Sequence, residues 1–222
     1  SRLMINTRSS ELVNNLEDFT FHILGCGAIG SSAALQIARM GADQFCLYDM
    51  DKVEEVNIGV SQYTFNDVDK PKVEALHNHL IELGVFKVNT YNERFSEFYP
   101  QGENDIAILG FDSMSSRLQA VEALFGIPGV KPLYIIDGRM GAEHYQQYVF
   151  DKPTVSKYKK TWYSDESGSP EPCNAKATSY CSNLSGSMIA NTVRKLVTGQ
   201  PFNRSFSFNF PTMLLEKTVM VS

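Results

Sequence analysis

Long apolar stretches are absent from this sequence. No run approaches the roughly 18 uninterrupted apolar residues that a membrane-spanning helix requires. The first six residues, Ser1-Arg2-Leu3-Met4-Ile5-Asn6, lack the apolar core of a secretory signal peptide. With 43% apolar and 20% charged residues in 222, the composition is typical of a globular protein. We therefore expect a cytoplasmic protein that does not act at a membrane.

Excess positive charge and paired cysteines are also missing. The net charge of −5 argues against a general nucleic-acid-binding surface. Zinc sites usually need closely spaced ligand pairs, and disulfide frameworks are typical of small secreted domains. The chain contains four cysteines without a C-x-x-C pair, and these are Cys26, Cys46, Cys173 and Cys181. We expect neither nucleic-acid binding nor a zinc site nor a disulfide scaffold.

Short apolar runs alternate with amphipathic segments over most of the chain. The predicted strands are 19–24, 45–48, 85–91, 105–109 and 133–136, and the predicted helices are 10–16, 28–40, 69–83 and 113–124. Asp69 is expected to cap the third helix, with Pro71 in its first turn. Such alternation predicts an α/β fold with a Rossmann-like, mainly parallel sheet and helices on both faces.

The C-terminal part has a different pattern. Segments 145–150 and 205–221 are predicted strands outside this alternation, which indicates an antiparallel C-terminal extension. Between them, the polar segment 151–178 is typical of a functional lid or a mobile linker, and 184–197 is a predicted helix. Because no second unit is visible, we expect a single domain over residues 1–222.

A glycine-rich turn follows the first predicted strand. The motif G-x-G-x-x-G is present as Gly25-Cys26-Gly27-Ala28-Ile29-Gly30. Its first glycine permits a tight turn, its second allows backbone N–H groups to approach phosphate, and its third allows close helix packing. Asp49 ends the next strand about 20 residues later, where an acid meets ribose hydroxyls in nucleotide-binding folds. To this point, a nicotinamide dehydrogenase is an equally good interpretation.

Four further segments, in order, resemble the ThiF/MoeB/ubiquitin-activating superfamily. They are Asp49-Met50-Asp51-Lys52-Val53 continuing to Asn57-Ile58, Asp69-Lys70-Pro71-Lys72-Val73-Glu74, Gly110-Phe111-Asp112-Ser113 with Arg117, and Asp137-Gly138-Arg139-Met140-Gly141. The resemblance covers about residues 21 to 199. It implies an ATP-dependent adenylyltransferase that activates a carboxylate, such as the C-terminal glycine of a ubiquitin-like or sulfur-carrier protein, with release of pyrophosphate. It also implies a homodimer.

The resemblance assigns roles to individual residues. Asp49 would bind the ribose, Asn57 would lie beside the phosphates, Lys72 would neutralise phosphate charge, and Asp112 would hold Mg²⁺. Lys72 and Asp112 are therefore the candidate catalytic residues, and Asp112 is the candidate metal ligand. The full set of candidate nucleotide-binding residues is Gly25, Gly27, Ala28, Gly30, Asp49, Asp51, Asn57, Gln62, Lys72, Asp112 and Ser113.

The sequence departs from the family pattern near Asn57. Val60 occupies the place of an arginine that helps to bind the triphosphate, and Gln62 matches the family's glutamine only with one inserted residue. Arg2 or Arg8 could supply the missing cation. The absent arginine keeps a non-catalytic partner subunit open as an alternative, and an NAD-dependent oxidoreductase is the weaker one, since hydride transfer does not need the set of Asn57, Lys72 and Asp112.

Some family members use a cysteine to accept the activated carboxylate as a thioester. Cys173 and Cys181 lie roughly where such a cysteine would be. A thiolate nucleophile needs an exposed, electropositive setting, and a packed Cys181 at a helix entrance and a loop position for Cys173 are the favoured interpretations. Cys26 and Cys46 are expected to be small buried residues.

Overall fold

The computed structural model describes residues 8–166 and 177–222. The strands are β1 (Thr20–Leu24), β2 (Gln44–Tyr48), β3 (Lys87–Tyr91), β4 (Asp105–Leu109), β5 (Tyr134–Gly141), β6 (His144–Phe150), β7 (Phe202–Asn203), β8 (Ser205–Asn209), β9 (Leu214–Lys217) and β10 (Met220–Val221). The α-helices are α1 (Ala28–Arg39), α2 (Lys72–Glu82), α3 (Met114–Leu124), α4 (Val155–Lys159) and α5 (Ser179–Val197). None of the described helices is long and apolar enough to cross a membrane.

One eight-stranded sheet organises the fold, in the order β3-β2-β1-β4-β5-β6-β8-β9. The first five strands in this order are parallel. From β5 onward the neighbours pair antiparallel, and β7 pairs with β10 in a separate two-stranded sheet. The predicted fold class, a mainly parallel α/β sheet with an antiparallel C-terminal extension, is confirmed.

Side chains alternate between the two faces of the sheet, as they must in extended strands. On β4, Ile106 and Ile108 pack into the core that holds α1, α2 and α5, whereas Ala107 and Leu109 pack into the core on the other face. The second core contains α3 and the loop that follows β3. Both faces are therefore covered by helices, and the carboxyl ends of the parallel strands meet at one open edge of the sheet.

Two local predictions are wrong. The predicted helix at 10–16 is instead a turn, in which Val13 N–H bonds to Ser9 O, followed by a short 3-10 helix at Leu16–Asp18. Asp69 does not cap α2, because its backbone is in the left-handed region with φ of 72°. Pro71 takes the N-cap position and Lys72 is the first helical residue.

Other elements extend beyond the ranges predicted from the sequence. β5 runs past Asp137 to Gly141, because it pairs with β6 across a tight turn. The helix predicted from residue 184 begins at Ser179, where Thr178 caps it by accepting from Cys181 N–H. The polar segment 151–178 contains the short helix α4, and its residues 167–176 lie outside the described part of the chain.

Candidate functional site

A pocket of about 370 Å³ opens at the carboxyl edge of the parallel strands. Residues that follow the ends of strands β1, β2, β3 and β4 line this pocket. The lining residues are Gly25, Gly27, Asp49, Met50, Asp51, Lys72, Glu93, Arg94, Phe95, Gly110, Phe111, Asp112, Ser113, Ser116 and Gln119. Ligands of open α/β sheets bind at this edge. Seven of the eleven predicted nucleotide-binding residues line the pocket.

The glycine turn forms the floor of the pocket. Gly25 has φ of 95°, and a Cβ there would lie 2.9 Å from the backbone of Gly110. A Cβ on Gly30 would lie 1.9 Å from the carbonyl oxygen of Gly25. Gly27, by contrast, has no heavy atom within 4 Å of its would-be Cβ, so the backbone before α1 is open to a ligand. The N-terminus of α1 also has no side-chain cap, which leaves first-turn donors for an anion.

Asp49 is fixed at the end of β2. One carboxylate oxygen accepts from Cys26 N–H and the other from Asp51 N–H, each at 2.8 Å. Burial raises the pKa of this carboxyl, and the two backbone hydrogen bonds and Lys72 oppose that rise. Since each carboxylate oxygen has a further lone pair, Asp49 can still accept from hydroxyl groups in the pocket.

Lys72 is the first residue of α2 and only 8% exposed. Its backbone N–H donates to Asp51 O at 2.9 Å. Its carbonyl oxygen lies 3.3 Å from Tyr63 Oη, whose closer acceptor is Cys26 O at 2.5 Å. Within the described residues, its ammonium group forms no salt bridge. A buried, unpaired ammonium beside a pocket is suited to neutralising an anionic ligand.

Asp112 and Ser113 follow β4 on the opposite wall. Asp112 is exposed, and none of the described residues donates a hydrogen bond to its carboxylate. Ser113 caps α3, with Oγ accepting from Ser116 N–H at 3.0 Å. Asp112 is therefore free to bind a ligand, whereas Ser113 is already engaged.

Four predicted nucleotide-binding residues do not line the pocket. Ala28 and Gly30 lie within α1, behind the turn. The side chain of Asn57 accepts from Glu54 N–H at 2.7 Å in a local capping box, and Gln62 donates to Asn183 of α5 at 2.8 Å. The pocket thus brings together Gly25, Gly27, Asp49, Asp51, Lys72, Asp112 and Ser113, and it leaves out Ala28, Gly30, Asn57 and Gln62.

Arg94 is a lining residue that the sequence analysis missed. It follows β3, and its guanidinium donates to Gln119 Oε1 of α3 at 2.6 Å. Arg8 and Val60 are outside the lining, and Arg2 lies outside the described residues. The available signal was positional, because Arg94 follows the end of a predicted parallel strand, as Asp49 and Asp112 do.

The described cysteines are buried. Burial raises the pKa of the Cys46 and Cys181 thiols to about 11, and that of Cys26 well above its ordinary value. Cys26 belongs to the glycine turn and packs its side chain into the core, and Cys181 is buried in the first turn of α5, as expected for both. A raised thiol pKa disfavours the nucleophilic thiolate. Cys173 lies outside the described residues.

Comparison with known proteins gives two groups of relatives. The family model described as the ThiF family matches residues 1–220. Ubiquitin-like modifier-activating enzyme 5 of Branchiostoma floridae is 34% identical over 137 residues, which is 53% of this chain and 34% of that protein. The Caenorhabditis elegans protein of the same name is 36% identical over 136 residues, covering 53% and 32%. The chain thus spans about a third of the length of these relatives.

Solved structures share the fold at low identity. E. coli MccB with ATP has a TM-score of 0.71 at 16% identity, over 99% of this chain and 69% of that one. The Microcin C7 biosynthetic enzyme MccB in complex with N-formylated MccA has a TM-score of 0.73 at 17% identity, over 99% and 70%. PaaA has a TM-score of 0.71 at 18% identity, over 94% and 66%. Similarity at this level shows the fold.

Proposed function

The chain belongs to the ThiF family, and from that premise we propose that it binds ATP and adenylates a carboxylate. The observation that carries this proposal is the composition of one pocket. It joins an uncapped helix N-terminus, a buried lysine and carboxylates at the ends of neighbouring strands. MccB, which has the same fold, is solved with ATP, and this supports ATP as the nucleotide.

The proposed reaction exchanges one bond to phosphorus for another. A carboxylate oxygen of the substrate attacks the α-phosphorus of ATP, and the bond from this atom to the oxygen bridging the β-phosphorus breaks. Pyrophosphate leaves with the electron pair, and an acyl-adenylate remains. Such a step depends on positioning and charge neutralisation. Gly27 and the N-terminus of α1 would hold phosphate oxygens, Lys72 would oppose their charge, and Asp49 would accept from the ribose hydroxyls.

Arg94 gives the pocket a second cation. The arginine expected near Val60 is absent, and Arg94 lies in the lining with its guanidinium oriented by Gln119. We propose that Arg94 takes over part of the charge neutralisation. If Arg94 acts in this way, the absence of the arginine near Val60 no longer favours a non-catalytic partner subunit.

Magnesium fits the residues that are present. Mg²⁺ in nucleotide sites is usually held by one or two carboxylates together with substrate phosphates, and the described residues contain no group of three or more potential metal ligands. The Asp112 carboxylate is exposed, lines the pocket and has no partner within the described chain, so it can hold the ion. When bound, Mg²⁺ would offset the charge of the departing pyrophosphate.

The substrate we propose is the C-terminal glycine of a ubiquitin-like or sulfur-carrier protein, or of a peptide. The support comes from the names of the matching proteins, which include ubiquitin-like modifier-activating enzyme 5 and MccB in complex with MccA. A homodimer and a cytoplasmic location belong to the same proposal.

ATP–pyrophosphate exchange tests the proposal. Labelled pyrophosphate should enter ATP when a protein or peptide with a free C-terminal glycine is added, and not when the same C-terminus is amidated. ATP binding without exchange for any candidate carboxylate would favour the non-catalytic partner subunit. Tight NAD binding without ATP binding would favour the oxidoreductase.

A further inference from the structure

Three helices begin at the pocket, and their N-termini differ in capping. α1 and α2 begin after Gly27 and Pro71 without a side-chain cap. α3 begins after Ser113, which caps it. Since the first N–H groups of a helix attract anions, the capping state determines which helix ends can receive phosphate.

A carboxylate from elsewhere in the chain covers the N-terminus of α3. Asp165 accepts from Met114 N–H at 2.7 Å with one oxygen and from Ser115 N–H at 3.2 Å with the other. The Met114 hydrogen bond is the main cause of a lowered pKa for the Asp165 carboxyl. With Ser113 bound to Ser116 N–H, the first three amides of α3 all have oxygen acceptors.

The segment that carries Asp165, residues 161–165, is tied down along its length, and we call it the strap. At its start, Arg139 donates to Thr161 O at 2.8 Å and to Thr161 Oγ1 at 3.1 Å. In its middle, Trp162 Nε1 donates to Met114 O at 2.7 Å. The strap therefore presents Asp165 to α3 from a fixed position.

A positively charged, buried ion cluster lies behind the N-terminus of α3. Arg117 of α3 and Arg139 of β5 both bond to Asp137, and all three side chains are buried. Two guanidinium groups and one carboxylate leave one positive charge in excess. The exposed carboxylate of Asp165 interacts electrostatically with Arg117, in addition to its stronger hydrogen bonds to the α3 amides. Without it, α3 would present free amides and net positive charge beside Ser113 and Ser116 in the pocket wall.

We propose that Asp165 is a positioning residue that occupies the N-terminus of α3 and thereby directs the phosphates of ATP to the glycine turn and Lys72. This inference rests on the proposed function for its choice of nucleotide. The structural basis is that α1 and α2 lack side-chain caps, whereas the N-terminus of α3 is occupied by the carboxylate of Asp165.

The test uses inorganic tripolyphosphate, which carries the charge of ATP without its base or ribose. As a single substitution, Lys72→Ala should greatly weaken tripolyphosphate binding, measured by calorimetric titration, relative to the wild type. Asp165→Ala should open a second anion site, so that the double variant Asp165→Ala/Lys72→Ala binds on the order of ten times more tightly than Lys72→Ala alone. Glu166→Ala removes the same charge one residue later and should change nothing.

Each outcome decides the proposal. If the double variant binds tripolyphosphate no better than Lys72→Ala, or if Asp165→Ala merely weakens binding and lowers the melting temperature, the proposal is wrong and Asp165 is a structural cap. If the wild type binds tripolyphosphate but not ATP, the proposed function fails. The comparison of Lys72→Ala with the double variant Asp165→Ala/Lys72→Ala still tests the role of Asp165.

Discussion

At the level of single residues, the glycines of the turn answer different steric demands. Gly30 has no room for a side chain, because the carbonyl of Gly25 lies where its Cβ would be. Gly27 has room, and its missing side chain instead leaves the backbone accessible. One glycine therefore serves packing, and the other serves the ligand.

This difference predicts opposite results for two alanine variants. Gly30→Ala forces a clash with backbone and should destabilise the fold by about 2–3 kcal/mol or more. Gly27→Ala should melt within a few degrees of the wild type and bind ATP more weakly, since its methyl group occupies the phosphate approach. Thermal unfolding and ATP titration measure the two effects. Equal melting temperatures with equal ATP affinities would contradict the assignment.

Lys72 and Asp112 should affect the reaction more than the fold. Lys72→Met keeps the buried aliphatic stem and removes the charge, and Asp112→Ala alters an exposed side chain. Each should slow pyrophosphate exchange by roughly a hundredfold, the scale of one preorganised charge contact. The exposed Lys131, before β5, provides the control variant Lys131→Ala. Exchange at the wild-type rate in Lys72→Met or Asp112→Ala would refute the role of that residue.

At the level of elements, a buried ion cluster joins α3 to β5. Asp137 accepts from Arg117, from Arg139 and from Tyr158 Oη, and its own side chain is fully buried. This carboxylate compensates two guanidinium groups and links α3, through Arg117, to β5.

Asp137→Asn should therefore be strongly destabilising. Removing one partner of a buried ion pair costs about 3–5 kcal/mol, because the remaining charge stays desolvated. The matched change Asp151→Asn breaks a half-exposed pair with Arg204 and should cost about 1 kcal/mol or less. Denaturant unfolding compares them. The interpretation fails if Asp137→Asn costs no more than Asp151→Asn.

Sequence periodicity predicted the repeating elements well. Strand β4 and helix α3 matched almost residue for residue, because apolar spacing and a serine cap are local signals. The extension of β5 to Gly141 was not predictable, since it depends on pairing with β6. The helix expected at 10–16 is replaced by a turn, in which Val13 N–H donates to Ser9 O, and a short 3-10 helix.

The residues of the candidate site also fall into those that local sequence motifs predicted and those that they did not. Asp49, Lys72 and Asp112 were identifiable because each follows a strand or begins a helix within a recognisable motif. Asp165 was not, because it reaches Met114 across 51 residues of chain. Contacts between distant segments leave no local pattern.

At the level of the whole molecule, several carboxyl groups make stability depend on pH. The pKa values of Asp67 and Asp151 lie below the ordinary 3.8, because hydrogen bonds from His79 and Arg204 outweigh the effect of burial. The pKa of Asp165 is also lowered, mainly by the hydrogen bond from Met114 N–H. A carboxyl whose pKa is lowered in the folded state stabilises the fold at pH values above its unfolded-state pKa. This contribution is lost as the pH falls through its folded-state pKa. Asp49, with a raised pKa, acts in the opposite direction.

The melting temperature should consequently stay nearly constant from pH 7 to 5 and fall below about pH 4. Asp67→Asn should lower it at pH 7 and have a smaller effect at pH 3, where the wild-type carboxyl begins to protonate. A scan of melting temperature against pH for both proteins measures this. An equal difference between them at pH 7 and pH 3 would contradict the assignment.

The central claim is that the pocket binds ATP with Mg²⁺ through its glycine turn, Lys72 and Asp112. Calorimetric titration of the full chain with Mg-ATP and, separately, with NAD tests it most directly. We expect saturable Mg-ATP binding that weakens when Mg²⁺ is removed or when Lys72 is changed to Met, and little binding of NAD. Tight NAD binding in the absence of any ATP binding would contradict it.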